Sequence, residues 1–267
     1  MGAVIIQAII QGIGEFIPIS STAHMIAFHK IYGFPLDLFT KVFFHLGTLF
    51  VLVVYFWREI FSMACGFFSL LPLKRTKTKE QQQGFKLLGK VVIATIPCVI
   101  AGYYVHKHMH DQGDVLALIG WSSIVFALIL FVVDRSSPNF KKLEHLKPIE
   151  ALMIGITQML GFIPGVSRLG STLIAGRILG LKRTEAARFS FLVSIPTVIG
   201  AFVLVFFSSP HLPLIFSASM TNAFAIILIL GFVTLFLFMR YIRTHTLMIF
   251  ALYRFIFGLF VLYFTYA

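Results

Sequence analysis

Apolar residues run along this chain in long stretches separated by short polar and basic segments. Six stretches, at about 41–57, 89–106, 115–133, 189–207, 219–239 and 246–266, approach the ~20 residues that carry a helix across a hydrocarbon core. They predict six transmembrane helices. The first is short, so its helix is expected to extend past Trp57 or to begin before Lys41. Two further apolar stretches break where a span needs its middle. Residues 2–17 run into Pro18-Ile19-Ser20-Ser21-Thr22, and residues 149–163 into Pro164-Gly165-Val166-Ser167-Arg168. Each then resumes as a second short apolar piece. Such a break predicts a re-entrant helix hairpin, whose freed backbone groups must face protein or water rather than lipid.

The two halves of the chain resemble each other. Glu15 to Ser21 aligns with Gly161 to Ser167 at an offset of 146, and each half is a hairpin followed by three spans. Three is odd, so the second half is expected to be upside down relative to the first. The predicted fold is an all-α, polytopic membrane helical bundle of inverted repeats, with two re-entrant helix hairpins plus six transmembrane helices. It forms one membrane domain over 1–267: repeat one at 1–133, a cytoplasmic linker at 134–148 and repeat two at 149–267. In this plan functional groups meet near the midplane, at the broken helices.

Composition agrees with the pattern. Hydrophobic residues make up 58% of the chain and charged residues 12%, about half the usual share of a soluble domain. The net charge of +12 raises nucleic acid as a partner, but the basic residues sit in short loops between apolar runs, not on one face, which excludes it. Loops 58–90, 134–147, 180–188 and 240–245 hold 16 of the 22 Lys and Arg, whereas the opposite loops hold Lys30, Lys41 and Lys107. The basic loops are therefore expected on the cytoplasmic side, with hairpin one entering from outside and hairpin two from inside. Cys65 and Cys98 make neither a disulfide framework nor a metal cluster. No basic region precedes the first apolar run, so a cleaved signal peptide is not expected.

Candidate chemistry concentrates at the breaks. Of ten acidic residues, Glu15 alone sits deep in an apolar run, where a carboxylate is costly unless paired or cation-bound. Gln11 lies one turn earlier on the same face, so the two offer oxygens to a hard divalent cation, Mg²⁺ or Ca²⁺. Serines at Ser20 and Ser21 are placed to cap the second half-helix, with Thr22 beside them. Ser21 and His24 are three apart, a hydroxyl and an imidazole spaced for a nucleophile with an acid–base partner. At the second tip, Gly165 and Gly170 allow backbone N–H groups to approach an anion. Ser167, Ser171 and Thr172 add hydroxyls, and Arg168 a planar fork suited to phosphate. An acid on one tip and a base on the other suit a phosphate with a divalent cation. Weaker features are the alternating His106, His108 and His110 before Asp111, Arg254 inside the last span, His45 and Arg188.

These segments resemble the undecaprenyl-diphosphate phosphatase family linked to bacitracin resistance, over nearly the whole length. The resemblance rests on Gln11 through His24, Ile163 through Thr172, Ala187 through Leu192 and Ser194-Ile195-Pro196. It implies inverted repeats and a divalent-cation-dependent site open to the outer, periplasmic side of the bacterial cytoplasmic (inner) membrane. The implied substrate is an isoprenoid lipid diphosphate in the lipid bilayer. The reaction would hydrolyse undecaprenyl diphosphate to undecaprenyl phosphate and inorganic phosphate, recycling the lipid carrier for cell-wall synthesis. By resemblance Gln11 and Glu15 fall at the acidic-motif positions. Ser21 and His24 fall at the nucleophile and acid–base positions, and Ser167, Arg168 and Thr172 at the phosphate-binding positions. Ala23 stands where the family usually has Gly, and Leu169 where it usually has Ser, which removes one hydroxyl donor. Two rivals exist. Inverted repeats also suit a transporter or flippase of isoprenoid lipid phosphate. An acid-phosphatase-like lipid phosphatase needs a His at a fixed spacing after Ser-Arg, where this chain has Ile174. The sequence leaves a homo-oligomer open.

Overall fold

The computed structural model describes residues 2–34, 38–69, 78–108, 115–208 and 218–267. Among them are eleven α-helices: α1 (Gly2–Gly14), α2 (Ser21–Tyr32), α3 (Leu38–Tyr55), α4 (Trp57–Phe68), α5 (Lys79–His108), α6 (Val115–Ser136), α7 (Pro148–Gln158), α8 (Arg168–Ile178), α9 (Arg183–Ser208), α10 (Ala218–Tyr241) and α11 (Met248–Tyr266). Helices α5, α6, α9, α10 and α11 are each long and apolar enough to cross a membrane. The pair α3 and α4, which meet at a bend of 76°, makes a sixth when the two are counted as one broken span. The first apolar stretch thus extends in both directions, and its far end turns aside at Phe56 instead of continuing straight. The remaining helices are short. Thirteen residues of α1 reach about 20 Å, against a hydrocarbon core of about 30 Å. Large side chains on the outer faces are exposed, among them Ile96, Ile100 and Tyr103 of α5 and Ile229, Val233 and Phe236 of α10. A polytopic membrane bundle turns such faces to lipid.

Each hairpin packs mainly against the opposite half: α1 lies on α10, and α7 lies on α5. The same exchange relates the spans, with α3 against α9 and α6 against α11. Side by side, the two hairpins fit a register one residue longer than the proline alignment. Ser20 and Ser167 cap α2 and α8, each at positive φ (71° and 69°), each accepting from the backbone N–H three residues on, Ala23 and Gly170. They are 147 apart, as are Gly14 and Gly161. A Cβ on Gly14 would lie 3.0 Å from the Ser21 Cα, and one on Gly161 would lie 2.9 Å from the Arg168 Cα. Only glycine lets each tip close on itself this tightly. The structural counterpart of Ser21 is therefore Arg168, not Ser167.

The core below the tips is aromatic. Phe16, fully buried, packs on Phe191 at 6.2 Å, which in turn meets Phe56 at 6.0 Å and Phe238 at 6.2 Å. This anchors the residue next to Glu15. The linker after α6 is held by Arg177 of α8, which donates to the carbonyls of Pro138, Ser137, Asp134 and Leu181.

Candidate functional site

The hairpin tips meet at a cavity of about 280 Å³. Ser20, Ser21 and Thr22 at the start of α2, and Ser167, Arg168 and Leu169 at the start of α8, all line it. Two helix N-termini therefore border one cavity, a setting that favours anions. Glu15 reaches in from the end of α1, Lys41 and His45 from α3, Cys98 from α5, Gln158 from α7, and Thr197 and Ala201 from α9.

Glu15 is the centre of the polar network. Its Oε1 accepts a hydrogen bond from Arg168 Nη2. Its Oε2 accepts from Ser21 Oγ at 2.9 Å and from Gln11 Nε2 at 3.2 Å, and lies 3.5 Å from His45 Nε2. The carboxylate and the guanidinium that the sequence placed on separate tips thus face each other. Among the described residues Arg168 has one further hydrogen bond, a long 3.5 Å approach of Nη1 to the Ser194 carbonyl. Its fork is far from saturated, and it borders open volume.

The structure disperses other candidates. His24 is buried, and it is absent from the cavity wall. Its Nδ1 contacts the Ser20 carbonyl at 2.8 Å, its Nε2 contacts the Tyr253 hydroxyl at 2.8 Å, and its ring stacks on Phe257 at 3.8 Å. The expected Ser21–His24 pair is not formed. Ser21 opens the helix and turns to Glu15, while His24, one turn on, turns to α11. Ser171 and Thr172 are buried and direct their hydroxyls back to the Arg168 carbonyl, each at 2.9 Å, so they do not face the cavity. Gly165 and Gly170 also lie off its wall. The Gly165 carbonyl accepts from Arg254 Nη2 at 2.7 Å, and the Gly170 N–H donates to Ser167 Oγ at 3.1 Å.

Arg254 is fully buried and joins the tips: its Nη1 donates to the Pro18 carbonyl of hairpin one at 3.2 Å, and its Nη2 to Gly165 of hairpin two. Ser122 of α6 adds a bond to the Pro164 carbonyl at 2.6 Å. Arg188 instead pairs with Glu59 through Nη2 at 2.9 Å, away from the cavity. Of the histidine run, His110 and Asp111 lie outside the described residues, and no cluster of three or more His, Cys, Asp or Glu forms among those described.

Sequence reasoning left His45 undecided and missed Lys41 and Gln158. Gln158 was legible in principle, because it stands 147 residues after Gln11, in the same hairpin register as the two caps. Asp134 was also missed. It looked like a span-edge acid but is only 2% exposed, so Glu15 is not the single buried acid.

An apolar groove of about 700 Å³ adjoins the cavity, sharing Phe162, Ile163 and Pro164 with it. Its other walls include Pro97, Ile100, Tyr104 and Leu118.

Known proteins match the chain along nearly all of its length. The model of the family described as bacitracin resistance protein BacA covers residues 4–260. An undecaprenyl-diphosphatase of Alteromonas mediterranea is 33% identical over 271 residues, covering 99% of this chain and 98% of that one. The undecaprenyl-diphosphatase 1 of Rhodospirillum rubrum is 36% identical, over 96% and 92% of the two chains. The undecaprenyl-diphosphatase 2 of Stutzerimonas stutzeri reaches 40%, over 73% and 72%. The matched region takes in both hairpin tips and every helix apart from the first residues of α1 and the last turns of α11, and the chain belongs to the bacitracin resistance protein BacA family.

Proposed function

We propose that this protein is an integral membrane phosphatase that hydrolyses undecaprenyl diphosphate to undecaprenyl phosphate and inorganic phosphate, recycling the lipid carrier for cell-wall synthesis. The observation that carries the reading is the Glu15–Arg168 pair, contributed by opposite hairpins to a cavity that opens beside an apolar groove. An amphiphile with an anionic head and a long apolar tail fits both compartments at once. The names of the relatives support the same substrate.

Arg168 exchanges Glu15 for the oxygens of the terminal phosphoryl group and stabilises charge as it transfers. The N-termini of α2 and α8 add their positive ends. The freed Glu15 carboxylate, with His45 beside it, takes the proton of the attacking oxygen. Ser21 Oγ, already bonded to Glu15, stands next to this base. His45 Nδ1 faces the Lys41 carbonyl at 2.7 Å, which leaves Nε2 directed at Glu15 for that role. By the distribution of basic loops, the cavity faces the periplasmic side of the inner membrane.

Gln11 and Glu15 fit a divalent cation. The Gln11 Oε1 is buried without a hydrogen-bond partner among the described residues, and the amide, whose Nε2 now donates to the Glu15 carboxylate, would turn over to offer that oxygen to the ion. When bound, Mg²⁺ or Ca²⁺ would neutralise diphosphate charge, with substrate oxygens and water completing its shell.

The test is phosphate release from a long-chain isoprenyl diphosphate by purified protein in detergent, where no membrane sidedness exists. Wild type releases phosphate, chelator abolishes it, and Glu15→Ala is inactive with or without added cation. A wild-type protein that binds the lipid but releases no phosphate rules out the phosphatase. Full activity in chelator removes the cation from the proposal.

A further inference from the structure

A second polar cavity, of about 510 Å³, opens further along the helices that build the tip cavity. Helix α5 carries Lys90 at this cavity and Cys98 at the tips, and α9 carries Arg188 here and Thr197 there. Eight and nine helical residues set the two cavities about 12–14 Å apart along the bundle. No residue of the second cavity takes part in the proposed hydrolysis. We infer that it binds the phosphate headgroup of an anionic phospholipid, whose acyl chains lie against the exposed aromatic side chains of α4 and α5.

The charge balance of the wall favours an anion. Arg58, Lys86, Lys90 and Arg188 line it, against Glu59 and Glu144. Arg188 and Glu59 neutralise each other, with Nη2 at 2.9 Å and Nε at 3.0 Å from Oε1. The other three cations have no carboxylate partner among the described residues, and the acid left over, Glu144, is exposed. The Arg58 guanidinium lies 5.6 Å from the centre of the Trp57 ring, a contact that leaves its charge uncancelled.

Lys90 gives the clearest sign of a built site. It is only 9% exposed. Its Nζ donates to the carbonyls of Leu143 at 3.2 Å and Glu144 at 3.0 Å. An ammonium has three donors, so one is left without an acceptor among the described residues. The two carbonyls fix the position of the charge but do not cancel it. A cation held this deep without a counter-ion is unfavourable, and an anion in the cavity removes that cost. The walls are preformed. A Cβ on Gly84 would overlap the Ser62 carbonyl, and one on Gly66 would overlap the Phe85 backbone nitrogen. Helices α4 and α5 therefore meet backbone to backbone, which sets the spacing between Arg58 and Lys86.

The surroundings favour a lipid over a free ion. On α4 the cavity residues Arg58 and Ser62 are one turn apart, and beside them Trp57 and Phe61, also one turn apart, are exposed. On α5 the exposed Phe85 adjoins Lys86. Apolar side chains thus border the cations on two helices, as an amphiphile with a charged head requires. The side of the membrane agrees. Residues 58–90, 134–147 and 180–188 are the basic loops that build this cavity, and their charge places them on the cytoplasmic side. Basic pockets between membrane helices on that side suit anionic lipid headgroups.

The test reads binding alone, so its outcome is separate from that of the hydrolysis assay. Purified, delipidated protein in detergent is titrated with phosphatidylglycerol, phosphatidylcholine or inorganic phosphate. Native mass spectrometry counts bound lipid, and the melting temperature follows folding. Wild type should retain phosphatidylglycerol in preference to phosphatidylcholine, and inorganic phosphate should not displace it. Arg58→Gln with Lys86→Gln removes two cations that make no ion pair. Its lipid-free melting temperature should match wild type, and its affinity for phosphatidylglycerol should fall about 30-fold. Gln83→Trp, which fills the cavity and removes no charge, should weaken retention as well. Arg240→Gln with Arg243→Gln removes two exposed cations outside this cavity and should leave affinity within about threefold of wild type. Equal retention of the two lipids, or an equal loss in both double variants, overturns the inference in favour of general surface charge. Undiminished retention by Arg58→Gln with Lys86→Gln, or by Gln83→Trp, overturns the site. Displacement of the lipid by inorganic phosphate makes a free anion the occupant and overturns the lipid assignment.

Discussion

Two acid–arginine centres lie within this molecule, one buried and one partly exposed, and they differ in what they leave unsatisfied. At the end of α6, Asp134 Oδ1 accepts from Arg183 Nε at 2.6 Å and lies 3.3 Å from Arg177 Nε, while Oδ2 accepts from the Leu247 N–H at 2.9 Å. Arg177 is fully buried and distributes its terminal nitrogens over four backbone carbonyls and the Asn139 side chain. This centre ties α6, the linker, α8, α9 and α11 together; both terminal nitrogens of Arg177 and both carboxylate oxygens are bonded, and only Arg177 Nε makes no hydrogen bond among the described residues. At the hairpin tips, Glu15 and Arg168 form the other centre. There the arginine bonds one carboxylate oxygen and a distant carbonyl, and the pair borders open volume. A saturated centre fixes structure. An unsaturated one beside a cavity keeps donors for a ligand, because its buried groups are fully satisfied only when something binds.

The largest effect expected from this contrast is on turnover. Arg168→Ala should reduce phosphate release by about a thousandfold or more. Folded yield should hold, because Glu15 keeps Gln11, Ser21 and His45 as neighbours. A variant retaining a tenth of wild-type turnover would erase the functional side of the comparison.

Asp134→Ala should do the reverse. Stranding the buried Arg177 guanidinium, with the partly exposed Arg183 beside it, is expected to destabilise the fold by about 3–5 kcal/mol, read by denaturant titration in detergent. The surviving folded protein should hydrolyse at close to the wild-type rate. An Asp134→Ala protein as stable as wild type would show that saturation is not what separates the two centres.

Arg254 lies between these extremes, since it is buried like Arg177 yet clamps the two hairpin tips at the cavity. Arg254→Met leaves the Pro18 and Gly165 carbonyls without their donor. A loss of about 2 kcal/mol in stability, together with a fall in kcat of about tenfold, is expected. Change in only one of the two would assign Arg254 to one centre's class.

The smallest effect sharpens the position of His24. Tyr253→Phe removes the hydroxyl at His24 Nε2 and should lower stability by about 1 kcal/mol, with turnover within about twofold of wild type. A hundredfold loss of turnover would bring His24 back into the chemistry.

The sequence by itself determined the spans, the two broken helices and the convergence of Glu15 with Arg168. Each follows from a strong local rule. Lipid demands long apolar helices, proline and polar residues break them, and an acid or an arginine inside a membrane needs a partner. Only the tertiary structure decided the direction of each side chain around the tips. Ser21 and His24 share a spacing that allows one face, yet neighbouring helices draw them apart, the serine to α1 and the histidine to α11. Ser171 and Thr172 looked like phosphate donors, but a buried hydroxyl near the start of a helix finds the carbonyl one turn back before it finds a ligand. Conversely, the meeting of Lys41, His45 and Gln158 at one cavity has no local signal, because they reach it from helices that meet only on folding. Asp134 read as a span-edge acid because burial at a span end depends on the linker and two arginines folding over it. Hydropathy is a property of consecutive residues and survives without a fold. Saturation of a polar group depends on what lies within about 3 Å in space, which a one-dimensional pattern does not encode.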